Sequence, residues 1–272
     1  MYRKISRVLL YIFVLFLFVI AFLPFYLTLI SSIKYQMQIY KTPWMPVPPY
    51  HFNNYADAFV KIIGPVVNSL IVTVISIVVA VVSSLMASYS FSRGEYPLHK
   101  FLYVIIIALL MVPGFALLVP QFVQFNGLGL SNTYIGQALP PATNSVALGV
   151  MLMTAFFNQI PRSLFESAEI DGAGEMTVLR RIVLPLSTPI VSSVAIMTGL
   201  ATWNNYVWPL VITKGDTVKP AILAITSMAG NVNQGDGIKL AAYVIASLPV
   251  IVLFFFATKP FIEGITAGAV KG

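Results

Sequence analysis

The residues whose types and spacing could do chemistry form one short island, Pro161-Arg162-Ser163-Leu164-Phe165-Glu166-Ser167-Ala168-Glu169-Ile170-Asp171-Gly172-Ala173-Gly174. It runs on through Arg180-Arg181-Ile182-Val183-Leu184-Pro185. Acids and arginines so close together suit acid–base work, ion binding or the docking of a partner. The first two need further groups that the chain lacks. It has no cysteine, which removes thiolate ligands and disulfides. Its two histidines, His51 and His99, fall in predicted loops, so no His-based metal site or relay is expected. No Gly-x-x-x-x-Gly-Lys phosphate loop occurs. No catalytic and no metal residue is assigned. What remains is docking: a soluble partner binds the island, and the partner does the chemistry.

The surroundings of the island are apolar. Hydrophobic residues make up 58% of the chain and charged residues 9%, against about 25% charged in soluble domains. The chain therefore reads as an all-α integral membrane protein. Its net charge of +7 reflects topology rather than affinity for nucleic acid. Uncharged runs long enough to cross a bilayer as helix, about 20 residues, are Val8–Ile33, Pro65–Ser92, Phe101–Pro161, Ile182–Thr213 and Leu240–Thr258. The third is long enough for two spans and is broken near 121–141 by Asn126-Gly127, Gly129, Ser131-Asn132 and Pro140-Pro141. Six transmembrane helices are predicted, at about 8–30, 65–91, 101–122, 141–160, 185–211 and 239–258, in a single membrane domain over 1–272. The start imitates a signal peptide, but its apolar run is too long and no small-x-small site follows, so an uncleaved first span is expected.

Six spans put both termini on one side. That side receives ten of the sixteen basic residues, including Arg93, Lys100, Arg162, Arg180 and Arg181. The positive-inside rule then places both termini and the island in the cytoplasm. The longer outer loops are 31–64 and 212–238, with a shorter one at 123–140. Pro43, Pro46, Pro48 and Pro49 make the first irregular and extended rather than helical.

No Asp, Glu, Lys or Arg lies inside the uncharged runs, so the ionisable groups of an ion-coupled transporter are missing at membrane depth. Energy must come from elsewhere, or the protein is a passive pore. Neutral polar groups are present: Asn144, Ser145 and Asn158 in the fourth span, and Thr202, Trp203, Asn204, Asn205, Tyr206 and Trp208 in the fifth. Such side chains tie helices together across bundles or line a path for a neutral, hydroxyl-rich solute; the aromatics also suit an interfacial belt. Ala80, Ser83, Ser84, Ala87 and Ser88 are spaced for close helix contact.

Within the island, Pro161 ends the fourth span. Ser163-x-x-Glu166 fits a capping box opening a helix from Leu164 to about Ile170, and Gly172 suits the left-handed position that closes it. A second helix is predicted over about 173–184. Phe165, Ala168 and Gly172/Ala173 share one face, predicted as a small apolar knob beside acids.

The segment Glu166-Ser167-Ala168-Glu169-Ile170-Asp171-Gly172-Ala173-Gly174, followed by Ile182-x-x-Pro185, resembles the EAA loop of ATP-binding-cassette importer permeases, with Ser167 where alanine is commoner. Trp203-Asn204-Asn205-Tyr206-Val207-Trp208-Pro209-Leu210, and the tail Gly264-Ile265-Thr266-Ala267-Gly268-Ala269-Val270-Lys271-Gly272, resemble motifs of the maltose-type, MalG-like carbohydrate branch. The resemblance spans essentially the whole chain, and glycerol-phosphate permeases share much of it. It implies a type I ABC importer permease fold with a cytoplasmic coupling helix, over 163–174, in a bacterial inner membrane. Phe165, Glu166, Ala168, Glu169, Asp171, Gly172, Ala173 and Pro185 would then contact or shape the ATPase interface. Asn144, Trp203, Asn204, Asn205 and Tyr206 would line the substrate path. Gly230, Asn231, Asn233 and Gln234 would meet an extracytoplasmic solute-binding protein, although a plain surface loop with a short helix at Ala221–Ala229 also fits those residues. A second, homologous permease would complete the pore. Two ATPase subunits would carry ATP and Mg, leaving no cofactor and no enzymatic activity in this chain. A passive channel also lacks intramembrane charge but leaves the EAA-like island unexplained. A membrane-embedded enzyme lacks its nucleophile, acids and ligands.

Overall fold

A computed structural model describes residues 2–94, 96–231 and 235–269, and side chains for 7–94, 96–231 and 235–255. Among the described residues every regular element is helical. In chain order these are α1 (Tyr2–Ser32), α2 (Gln36–Lys41), α3 (Asn53–Arg93), α4 (His99–Ala108), α5 (Leu118–Gly127) and α6 (Tyr134–Phe157). There follow α7 (Arg162–Ile170), α8 (Glu175–Val178), α9 (Leu184–Leu186), α10 (Thr188–Trp203), α11 (Val207–Ile212), α12 (Ala221–Ala229) and α13 (Asp236–Ala269). Four helices (α1, α3, α6 and α13) are long and apolar enough to cross a membrane. Two bent pairs bring the number to as many as six if each is one crossing: His99–Met111 with Gly114–Gly127 at 93°, and Glu175–Leu186 with Thr188–Trp203 at 80°.

The first bend departs from the straight third span expected from sequence; the second falls close to the expected junction of the 173–184 helix with the 185–211 span, and both have local causes. Val112 and Pro113 take extended backbone, and Pro113 cannot donate to the preceding turn. At the second bend a π-turn over Leu179–Val183 precedes Pro185, and Pro189 follows Ser187. Other boundaries also move. α3 starts at Asn53, not Pro65; at about 1.5 Å per residue it is about 61 Å long, twice the hydrocarbon thickness. Asp57 and Lys61 read as loop because they carry charge, yet Ala58 and Ile62, the residues that directly follow them, are fully buried. α6 starts at Tyr134, capped by Thr133 Oγ1 accepting from Gly136 N at 3.0 Å. It therefore contains Pro140 and Pro141, which the sequence assigns to a turn. Pro140 leaves the Gly136 carbonyl without its helical donor, and the Trp208 indole supplies one at 2.9 Å.

Internal packing divides the chain into two compact units, residues 1–64 with 224–248, and 65–223 with 249–272. In the first, the expected extended loop is pinned. Lys34, 1% exposed, donates to Thr42 O at 2.6 Å, and Asp236 accepts from Gln36 Nε2 and Tyr40 OH, both at 2.9 Å.

The second unit is built on a helix seam. Ser76 Oγ donates to Ala138 O (2.9 Å), Ser84 to Val146 O (3.2 Å) and Ser88 to Val150 O (3.1 Å), a constant offset of 62 residues. A constant offset of the same sign means that α3 and α6 run parallel. Gly149 completes the seam: a Cβ there would sit 2.4 Å from Ser84 Oγ. The small-residue face predicted from Ala80, Ser84 and Ser88 is thus packed and buried, while Ser83 is exposed. α10 meets α6 at the same point, with Val194 Cγ1 3.1 Å from that Gly149 Cβ position.

Candidate coupling helix and solute groove

The island folds as α7, a turn at 171–174, then α8. The predicted capping box is absent. α7 starts at Arg162 with Pro161 as its N-cap and no side-chain cap. Pro161, with φ −57° and ψ 131°, stands just before the first turn, and Leu164 N donates to Pro161 O at 3.1 Å. The predicted C-terminus holds. Gly172 has φ +73°, Ala173 N donates to Ala168 O (2.9 Å) and Gly172 N to Glu169 O (3.0 Å), the paired bonds of a Schellman motif.

The apolar face assigned to a partner turns inward instead. Phe165 and Ala168 are buried in a cluster with Tyr89, Met153, Phe157, Ile160 and Val178, and Ala173 packs against it. Burying them inside the chain removes more apolar surface from water than leaving them beside the acids. The outward face carries Ile170, 87% exposed, with Leu164, Met176, Glu166, Ser167, Asp171 and Gly172. Sequence reasoning missed Ile170 because both faces of α7 carry apolar residues, and it missed Met176 on α8 because no pattern in that short segment marks which side is exposed. Pro185 is exposed on α9 and Arg180 and Arg181 on the π-turn. Glu169 is ion-paired with Arg93 at 2.6 Å, and an open cleft of about 670 Å³ lies between α7 and the ends of α3 and α6, lined in part by Arg162 and Glu166.

A second set of predicted residues converges away from α7. A cavity of about 370 Å³ between α6 and α10 is lined by Asn144, Ser145, Met197, Thr198 and Asn205, among others. It shares Pro141, Asn144, Ala201 and Asn205 with a groove of about 440 Å³ that adds Phe115, Gln121, Asn204, Tyr206 and Trp208. No lining residue of either is charged. Asn204 Nδ2 donates to Leu200 O (3.0 Å) and Asn205 Oδ1 accepts from Trp208 N (3.3 Å), so each keeps one end of its amide for a solute. The Asn144 side chain, exposed on α6, makes no hydrogen bond among the described residues. Trp203 is half-buried and lines neither space. Trp208 is buried and edge-on to Phe125 at 5.5 Å. Gln121 and Phe115 went unnoticed because the bend that brings them in is invisible in an apolar run. Gly230 and Asn231 are exposed just past α12; Asn233 and Gln234 lie outside the described residues.

The family of binding-protein-dependent transport system inner membrane components matches residues 80–263. The chain belongs to that family. The permease is similar to the melibiose/raffinose/stachyose import permease protein MelC of Bacillus subtilis, 28% identical over 92% of each chain. It is also similar to the glucose import system permease protein GlcU of Saccharolobus solfataricus, 31% identical over 93% of this chain and 92% of the relative. A crystal structure of a bacterial ABC transporter involved in the import of the acidic polysaccharide alginate contains a chain that superposes with a TM-score of 0.83, covering 95% of each chain at 22% identity. That likeness shows the fold. As a member of this family the permease is a multi-pass membrane subunit and not the enzyme; ATP is hydrolysed elsewhere in the transporter.

Proposed function

We propose that the permease is one half of the translocation pathway of an ATP-driven importer of neutral sugars. The observation that carries this is the groove around Asn144 and Asn205: neutral amides, hydroxyls and aromatic faces, with no charge to bind an ion or anion. The sugar permeases it resembles over nine-tenths of its length support the same class. The whole chain acts as one permease domain, and a second, homologous permease supplies the facing wall.

Six crossings follow if each bent pair is one span. The parallel run of α3 and α6 supports this, because the chain between them must return across the bilayer once, which α4 and α5 do as one bent crossing. Both termini and α7 then face the cytoplasm, in keeping with the basic residues there. The outward face of α7, centred on Ile170, docks one of two ATPase subunits, which hold ATP and Mg. Glu166, Asp171, Gly172 and Pro185 border that face, while Phe165, Ala168 and Ala173 shape it from beneath. On the far side Gly230 and Asn231, with the neighbouring Asn233 and Gln234, meet the solute-binding protein. Closure of the ATPases moves α7, and the helices rock about the groove.

A second reading, an acidic saccharide, has the alginate importer in its favour. The uncharged lining favours a neutral one. The test is uptake of glucose, raffinose and arabinotriose by proteoliposomes holding the complete transporter and its binding protein. ATP-dependent accumulation of a neutral sugar is expected. Equal uptake without the ATPase subunits would make the chain a facilitator and end the proposal.

A further inference from the structure

Docking an ATPase on α7 does not by itself move a groove in the membrane; something must carry the displacement. The polar contacts of α3 place it in that position. At its inner end Arg93 lies beneath α7 and α8. Its guanidinium meets Glu169 at 2.6 Å and Glu175 at 3.6 Å and stacks over the Phe165 ring at 5.1 Å. Tyr89, one turn back, donates to Glu175. Two residues of α3 therefore hold both helices that flank the Gly172 turn. A planar fork satisfying a carboxylate while stacked on an aromatic is geometry that lysine does not reproduce.

At the other end, Asn68 Nδ2 donates to Thr217 O (3.2 Å) and Lys219 O (3.0 Å), and its Oδ1 accepts from Tyr134 OH (2.8 Å). Ser69 Oγ accepts from Ala221 N at 2.8 Å. The loop that leads into α12 is thus held by α3. Asn68 and Arg93 stand on one unbroken helix, about 38 Å apart at 1.5 Å per residue. Between them the serine seam fixes α3 to α6, which lines the groove.

We propose that α3 is the rod that carries movement of the 162–178 segment to the groove and to the 217–221 loop, with Arg93 as its inner latch and Asn68 as its outer one. Both are positioning residues. The proposal rests on the coupling role of α7, and it separates docking, done by the outward face of α7, from transmission, done by its inward face.

The absence of cysteine gives a direct test. Ala201→Cys, on the groove, is introduced into the complete transporter in proteoliposomes. Its maleimide labelling is measured on this chain's gel band, with and without ATP and vanadate. An ATP-induced change in rate of about fivefold or more is expected in the otherwise wild-type chain. Arg93→Ala should reduce that change to less than about twofold while the ATPase subunits still co-purify. Arg93→Glu with Glu169→Arg, which recreates the ion pair but not the stacking on Phe165, should recover part of it. Asn68→Ala, remote from α7, should blunt it without affecting assembly. A wild-type response in both Arg93→Ala and Asn68→Ala would overturn the proposal. Loss of the ATPase subunits from Arg93→Ala, with no recovery in the charge swap, would also overturn it, by making Arg93 part of the docking surface. If the coupling role of α7 is itself wrong, Ile170→Asp will leave assembly and labelling response unchanged. That outcome removes the premise and overturns the proposal with a signature of its own.

Discussion

Gly149→Ala is the smallest change that should open the membrane core of this permease. An ideal Cβ at position 149 sits 2.4 Å from Ser84 Oγ, 2.9 Å from Ser84 Cβ and 3.1 Å from Val194 Cγ1. Ser84 cannot simply rotate away, because its hydroxyl donates to Val146 O at 3.2 Å and it is fully buried. Overpacking of this kind costs about 1–3 kcal/mol. Losing the serine bond adds about 0.6 kcal/mol, the usual value between membrane helices. A total of about 1.6–3.6 kcal/mol shifts the folding equilibrium roughly 15- to 400-fold. The assay is thermal unfolding of the purified transporter in one detergent, followed by near-UV circular dichroism of this subunit in its complex. Ser84→Ala alone should show only the hydrogen-bond loss. Ser84→Gly with Gly149→Ala should recover most of the stability, the non-additivity expected of residues in contact. Gly64→Ala is the control: it lies inside α3 with nothing within 4 Å of the added carbon, and should be neutral or stabilising by about 0.5–1 kcal/mol. A Gly149→Ala protein that unfolds with the wild type would refute the packing argument.

Three more outcomes are expected. Trp208→Phe should cost about 1–3 kcal/mol by orphaning the Gly136 carbonyl, and Pro140→Ala should rescue it by returning a helical N–H; failure of the rescue would mean that the indole bond was not the reason. Gly172→Ala should fray the end of α7 at a cost of about 1–2 kcal/mol, since φ is +73° and the added carbon meets nothing. Asn, which tolerates the left-handed region, should be milder, and equal effects of Ala and Asn on ATPase retention would contradict this. Asn144→Ala and Asn205→Ala should each lower sugar uptake about tenfold while leaving the ATPase bound; unchanged uptake in both would move the solute path elsewhere.

Much of this was legible in sequence because a bilayer imposes simple rules. Uncharged runs located the membrane segments, and Gly172 located the turn after α7. Ala80, Ser84 and Ser88 announced a close seam, although their partner α6 was not readable. The bend at Val112-Pro113 was hidden because apolar residues suit either half of a broken helix. Pro140 and Pro141 misled because their cost depends on Trp208, distant in sequence, supplying the missing donor. The orientation of α7 was inverted for a similar reason: Phe165 and Ile170 are both apolar, and only the neighbouring core of Tyr89, Met153 and Phe157 decides which one is buried. Arg93 counted only as a topology charge until its contacts with Glu169 and Phe165 were seen.

The central claim is that the outward face of α7 is where the ATPase docks. The direct measurement is the dissociation constant of the ATPase subunit from the reconstituted permease pair, wild type against Ile170→Asp. Ile170 is 87% exposed in this chain, and burying such a side chain in a complex is worth about 1.5–3 kcal/mol. The account predicts binding at least tenfold weaker in Ile170→Asp, with the permease itself still folded. Equal affinity would place the docking surface away from α7 and contradict the account.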